Sequence, residues 1–344
     1  TDRGKRNVAI RPEMTPTLAR MVAQVYREVP KPIRWYSIPN LMRYERPQKG
    51  RLREHWQFNV DIFGHNLDFG ELEILQMAVG LFKNFGANHE HFEIRYNNRK
   101  LIDYLFEKIL ELDKTKSLAL YKILDKSKKV SPESLSKMIT ELGLTDNQKS
   151  YLDQYLKIST SNELESFFTK IKFPKESWDI SNFINHSNEL NISDYLVFDP
   201  SIMRGLDYYT GLVFEIFDKH PDNRRALCGG GTYEGLMGLF GEEQLPGVGF
   251  GLGDVTLKDF LTTHNLLPDF SRPKNNLIIT FQDDSCKLLA LKLASSLRKE
   301  GLNCHSTFEV TKFKKAFNLA EKNGSSYIAL LGENEKESQS VQIK

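Results

Sequence analysis

The chain is short of cysteine, of net charge and of long apolar runs, and each shortage excludes a class of protein. Only three cysteines occur, Cys228, Cys286 and Cys304, scattered and without C-x-x-C spacing. That argues against a disulfide framework or a zinc site and makes a reducing cytoplasm the expected compartment. The formal charge is only +2, so any contact with nucleic acid must come from local basic patches rather than a general positive field. No run of about 18 apolar residues appears and no signal-peptide core opens the chain, which disfavours membrane and secretory readings. The histidines, including the pair His89 and His91, form no convincing ligand set, and no structural metal is expected. A soluble globular protein of two or three domains remains, with 40% hydrophobic residues in 344 to fill them.

Both ends look interrupted. The chain opens on Thr1 and runs almost at once into NVAIRPE, which has the texture of an interior strand, while the final SVQIK reads as the start of another. Flanking sequence is expected at both ends.

Between them the texture changes several times. Residues 1–98 mix strands with one helix, for which Thr15 is the expected N-cap and Pro16 the first helical position, followed by Leu18, Met21, Val22 and Val25 at helical spacing. From Trp56 the residues alternate, with Trp56, Phe58, Val60 and Ile62 on an expected core face and Gln57, Asn59 and Asp61 on a polar, available one. Residues 99–193 turn to Lys, Leu, Glu and Ser and read as a helical insertion, with Ile102, Leu105, Phe106 and Ile109 on one helix face and Ser131-Pro132 opening a later helix. Strands and glycines return over 194–265, a linker follows at 266–274, and 275–344 gives a β-α-β-α-β order, a small and largely parallel α/β domain.

Two segments concentrate chemistry. In LMRYERPQKGRLREHWQFNVDIFG, two strand-like stretches flank a loop holding Arg46, Lys49, Arg51 and Arg53. If the strands pair, Arg43 and Glu45 can share a sheet face with Gln57, Asn59 and Asp61. Arginine's rigid fork suits phosphate recognition and a basic loop could close over a triphosphate, although a solvated hairpin with a charged tip has the same composition. The second segment is RGLDYYTGLVFEIF, Arg204 to Phe217.

In order and spacing the first segment resembles motif 2 of class II aminoacyl-tRNA synthetases in its histidyl-tRNA synthetase form, and the second resembles a signature of the histidine enzymes. The resemblance implies an α+β fold, with an antiparallel-sheet catalytic core carrying a helical insertion and followed by an anticodon-binding-like α/β domain. The motif 1 region and the end of the last domain would be missing. It implies that Arg43 and Arg204 stabilise charge at the α-phosphate of ATP, and that Glu45, Arg51, Arg53, His55 and Trp56 serve ATP, with either His55 or Trp56 near adenine. Histidine would be bound by Glu13 and Thr15, which match positions holding the α-amino group, and by Gln57, Asp61, Tyr208 and Tyr209. A neutral imidazole offers one donor and one acceptor, so Asp61 and the Tyr209 hydroxyl could read its two nitrogens. ATP, Mg2+, histidine, tRNA(His) and a second copy of the chain are the implied partners.

The chain departs from the family pattern at Thr232 and Thr256, where arginines usually stand, the second of them on the γ-phosphate. Arg51 and Arg53 of the motif 2 loop are the expected replacements. The same departure keeps a rival open, a non-catalytic paralogue such as the regulatory subunit of ATP phosphoribosyltransferase or a sensor of uncharged tRNA. Against it stand the intact RGLDYYTG and the last domain, which that regulatory subunit generally lacks.

Overall fold

The computed structural model describes residues 3–48, 50–64, 67–125, 127, 130–203, 208–240, 245–269 and 276–344. The chain divides into two compact units, Thr1–Leu267 and Pro268–Lys344.

In the first unit, α1 (Thr15–Val25) precedes β1 (Ile33–Ser37), β2 (Asn40–Met42), β3 (Glu54–Phe63), α2 (Leu67–Asn84) and β4 (Phe92–Asn98). Among the described residues, the α-helices that follow are α3 (Arg99–Tyr104), α4 (Lys114–Asp125), α5 (Pro132–Glu141), α6 (Asp146–Leu156), α7 (Ser161–Ile171) and α8 (Ile180–Glu189). The chain then returns through β5 (Leu196–Phe198), β6 (Leu212–Asp218), β7 (Ala226–Tyr233), β8 (Gly247–Gly253) and α9 (Asp254–Thr263). The strands form one sheet in the order β1-β3-β8-β7-β6-β4-β5, with β2 also on β3. Every pairing is antiparallel except β4 with β5.

Period-two alternation gives this sheet two different faces. Phe58, Val60 and Ile62 stand opposite Leu252, Phe250 and Val248, and the last two opposite Gly230 and Thr232. Val60, Ile62, Val248 and Phe250 join Leu72, Leu75 and Val79 of α2 in one buried cluster. The same cluster runs on through Leu101, Phe106, Tyr155 and Phe167, so the inserted helices share the sheet's core. A buried hydrogen bond from Asn97 Nδ2 to the Tyr155 hydroxyl, 2.7 Å, ties strand to insertion.

Four local expectations change. Residues 7–13 form no strand: Val8 and Ile10 are 65% and 69% exposed, and the backbone bond that ties the segment to the sheet is Met42 N–H to Arg11 O. With no partner strand to bury it, an apolar alternation earns nothing. Thr15 lies inside α1, behind a buried Met14 that makes no side-chain cap, because its hydroxyl is engaged by Tyr208 instead. The buried face of α1 is Leu18, Ala19, Val22 and Ala23, with Met21 exposed. The helix over 102–109 ends at Tyr104 and continues as a π turn, Leu105–Ile109, which leaves Ile109 half-buried. Trp56 is 52% exposed while Asn59 and Asp61 are buried, so the polar face of β3 is the more enclosed one at these positions.

The second unit is a four-stranded sheet, β9 (Leu277–Phe281), β10 (Cys304–Ser306), β11 (Tyr327–Leu331) and β12 (Gln342–Ile343), with α10 (Lys287–Lys299), α11 (Phe313–Lys322) and α12 (Glu333–Glu337). Central β9 runs parallel to both β10 and β11, and β12 is antiparallel to β11. Ile279 and Phe281 pack with Ala290 and Ala294 of α10, whereas Ile278 packs with Ala316 and Ala320 of α11. A strand covered on both faces has no need of alternation, which accounts for LIITF. The edge strand β10 is short and stops at Ser306. Phe270 to Asn275, most of the expected linker, lie outside the described residues.

Candidate active site

The second face of the large sheet is floored with glycine. Asp61 is opposite Gly249 and Asn59 opposite Gly251, and these in turn are opposite Gly231 and Gly229 of β7. Neighbouring side chains occupy the space the absent Cβ atoms leave. A Cβ on Gly249 would lie 2.4 Å from Asp61 Oδ1, one on Gly251 2.9 Å from the Gln57 amide, and one on Gly231 2.9 Å from the Tyr209 ring. Any side chain at these positions would displace a candidate ligand-binding group.

Asp61 is held by a residue that sequence reasoning missed. The Tyr233 hydroxyl donates to Asp61 Oδ1 at 2.6 Å, and both groups are buried. Alternation along GGGTY would have found it, since Tyr233 lies two residues after Gly231 on the same face. Burial pushes the Asp61 carboxyl up to about 7, partly offset by that hydrogen bond. Tyr209 and Tyr233 are pushed well above the ordinary phenol value, by burial first and by neighbouring charges including Asp61. Tyr208 hydrogen-bonds with Thr15 and with Tyr209. Burial raises Glu13 as well, against the lowering influence of Arg43. Glu13, Thr15, Asp61, Tyr208, Tyr209 and Tyr233 thus form one polar group at this end of the face.

Beside it opens a cleft of about 690 Å³ lined by Arg43, Glu45, Arg51, His55, Gln57, Arg225 and Thr256, among others. Its size is that of a small-molecule site, roughly 300–1,000 Å³. Three antiparallel pairs between β2 and β3 bring the motif 2 segments together, with Asn40 opposite Trp56 and Met42 opposite Glu54, and Arg43 N–H bonds to Arg53 O just beyond. Arg43 Nε donates to Pro12 O at 2.8 Å, which links the cleft to the Glu13 segment. Arg51 Nε meets Glu45 Oε2 at 2.5 Å. Arg53 donates to Glu45 O and lies over the Tyr44 ring. Burial, then Arg43, lowers the His55 pKa.

Not every predicted residue reaches this cleft. Arg53 and Trp56 are absent from its lining; Trp56 belongs to the opposite face of β3 from His55 and Gln57, so of the two aromatic candidates His55 is the one that lines the cleft. Arg204 and Lys49 lie outside the described residues. The two departures from the family pattern also separate. Thr256 lines the cleft, whereas Thr232 is on the helix-covered face, where its hydroxyl bonds Glu71 of α2. The Leu212 N–H donates to the same carboxylate at 3.2 Å. Burial pushes Glu71 up to about 7. Sequence reasoning missed Glu71 because nothing in the local pattern of α2 marks it as facing β7. Among the described residues no cluster of three metal-ligating side chains occurs.

Comparison with known proteins agrees with this architecture. A family model described as histidyl-tRNA synthetase matches residues 1–256, and one described as an anticodon binding domain matches 276–344. The histidine–tRNA ligase of Leptospira biflexa is 44% identical over the whole chain and 78% of its own length. The chloroplastic/mitochondrial histidine–tRNA ligase of Arabidopsis thaliana is 33% identical, again over the whole chain and 70% of its own length. Among solved structures, the histidyl-tRNA synthetase of Nostoc sp. PCC 7120 superposes with a TM-score of 0.76, covering 97% of this chain and 78% of that one at 24% identity. The antiparallel core, the appended α/β unit and these matches do not favour the regulatory-subunit alternative, and they establish that the chain belongs to the histidyl-tRNA synthetase family of class II aminoacyl-tRNA synthetases.

Proposed function

We propose that the glycine-floored face and the adjoining arginine cleft activate histidine with ATP and transfer it to tRNA(His). The observation that carries this reading is the side-by-side placement of a buried Asp61, a half-buried Tyr209 and a cleft containing Arg43. Tyr233 occupies one Asp61 oxygen, leaving the other to accept an imidazole N–H, while the Tyr209 hydroxyl serves the second ring nitrogen. Glu13 and Thr15 hold the α-amino group and Gln57 orients the substrate. A histidine carboxylate oxygen then attacks the α-phosphorus as the bond to the leaving pyrophosphate breaks. Arg43 balances the charge in the transition state together with Arg204, and donors of this kind contribute roughly 3–4 kcal/mol each. The tRNA terminal hydroxyl next attacks the adenylate carbonyl and releases AMP.

Glu45, Arg51 and His55 line the part of the cleft assigned to ATP. Magnesium keeps several of its waters and needs only one or two carboxylates beside substrate phosphates. Glu45 and Glu215 line the cleft and would hold it, where the ion would neutralise phosphoryl charge. Exposed Lys312, Lys314 and Lys315 suit backbone phosphates of tRNA in the second unit. The three buried free thiols fit a cytoplasmic setting, no described helix is long and apolar enough to cross a membrane, and a homodimer is the assembly the family implies.

The test is histidine-dependent exchange between ATP and pyrophosphate, with the other amino acids as controls. Exchange specific to histidine is the expected result; its absence in a protein that still binds tRNA would instead favour a sensor.

A further inference from the structure

One corner of the cleft lacks a cation at one position and has one at another. Thr256 sits in the first turn of α9 with its hydroxyl committed to backbone, 2.9 Å from Leu227 O and 3.1 Å from Gly253 O. It offers a ligand no charge. Arg225 leaves the turn that precedes β7, and its side chain reaches the same spot: a Cβ built on Gly50, at the tip of the β2–β3 loop, would lie 3.4 Å from Arg225 Cδ and 3.6 Å from Thr256 Cγ2. Arg224, Arg225 and Thr256 line the large cleft. Together with Gly50 and Asp259 they also line a smaller cavity of about 170 Å³.

The other described arginines of the cleft each have a partner at Nε. Arg51 is paired with Glu45 at 2.5 Å, and Arg43 donates to Pro12 O at 2.8 Å. Among the described residues Arg224 and Arg225 have neither a hydrogen bond nor an ion pair. Arg224 is exposed, whereas Arg225 is half-buried, and its guanidinium has no hydrogen-bond or ion-pair partner among the described residues. A planar fork in that state is suited to two oxygens of a phosphate.

We propose that Arg225 binds the outer phosphates of ATP in this chain, supplying from the β6–β7 turn the charge that Thr256 does not. The proposal rests on the assignment of this cleft to ATP, and it replaces Arg51 as the compensating residue. Arg224 lines the same corner and is an auxiliary charge.

AMP provides the test, because it shares the adenosine and α-phosphate of ATP but lacks the two outer phosphates. Calorimetric titration of both nucleotides into the parent, Arg225→Ala and Arg225→Gln, each first checked for an unchanged melting temperature, separates a local role from a general one. The expected result is that ATP affinity falls about 10- to 100-fold in both variants while AMP affinity stays at the parent value. Equal weakening of ATP and AMP, an unchanged ATP affinity, or a parent that binds ATP no better than AMP would overturn the assignment. Histidine-dependent exchange by the parent is scored separately. A parent that prefers ATP over AMP through Arg225 but runs no exchange would remove the synthetase activity and leave this assignment standing.

Discussion

On the cleft side of the large sheet, β3 presents Gln57, Asn59 and Asp61 to Gly253, Gly251 and Gly249; on the other side it presents Phe58, Val60 and Ile62 to Leu252, Phe250 and Val248. The same stretch of backbone thus serves two purposes. One face omits side chains so that polar groups can lie flat against the strands, and the other fills the space with aliphatic and aromatic volume beneath α2. Each face also carries one buried carboxyl raised to about 7, Asp61 on the cleft side and Glu71 from α2 on the covered side. Their partners differ in kind. Asp61 is anchored by a tyrosine within a group of other polar side chains, while Glu71 is closed off by Thr232 and a backbone N–H. Burial alone therefore does not mark a carboxyl as functional, since Glu71 is as enclosed as Asp61 and is closed off by its own partners.

This contrast can be broken most severely at a glycine. In Gly249→Ala the new methyl would sit 2.4 Å from both Asp61 Oδ1 and Val60 O. Exchange should drop by about 100-fold or more, because misplacing a positioning group by about 1 Å has that effect. Gly235, where an added Cβ would meet nothing within 4 Å, is the control, and Gly235→Ala should be silent. Comparable activity in the two variants would mean that the glycine floor has no part in positioning.

A second experiment addresses the covered face. The folded state holds the Glu71 proton more tightly than the unfolded chain, so this group's contribution to stability is greatest below the ordinary value of 4.5, is lost as pH rises to about 7, and is constant above. Glutamine cannot ionise. Glu71→Gln should therefore gain on the parent across that window by up to roughly 3 kcal/mol, read from denaturant melts at about pH 5 and pH 8. A difference that does not change with pH would show that the covered face accommodates the charge.

The smallest of the three effects concerns recognition. Tyr209→Phe keeps the ring against Gly231 and removes only the hydroxyl, so the fold should persist while histidine binding weakens by roughly 1–3 kcal/mol. Calorimetry that finds histidine affinity unchanged in both Tyr209→Phe and Asp61→Ala would move the imidazole site elsewhere on the face.

How much of this was legible beforehand depends on range. Alternation from Trp56 to Ile62 and the Ser131-Pro132 helix start are local signals, and both are present in the structure at β3 and at the first residue of α5. NVAIRPE has an equally clear local signal and forms no strand, because pairing requires a neighbour that periodicity cannot see. Arg225 was overlooked for the same reason. Its role depends on a loop tip at Gly50, 175 residues earlier in the chain, and on a helix start at Thr256, which only the folded sheet brings together.

By itself the sequence determined which strands alternate and where the glycines lie, since these follow from side-chain types at periods set by the backbone; that Asp61 and the Tyr208-Tyr209 pair serve one recognition chemistry is what the family resemblance implies. Tertiary structure alone decided which face each departure from the family pattern would occupy. Strand register sends Thr232 under α2 to Glu71 and leaves Thr256 in the cleft beside Arg225, because register and helix packing are long-range contacts that no local pattern encodes.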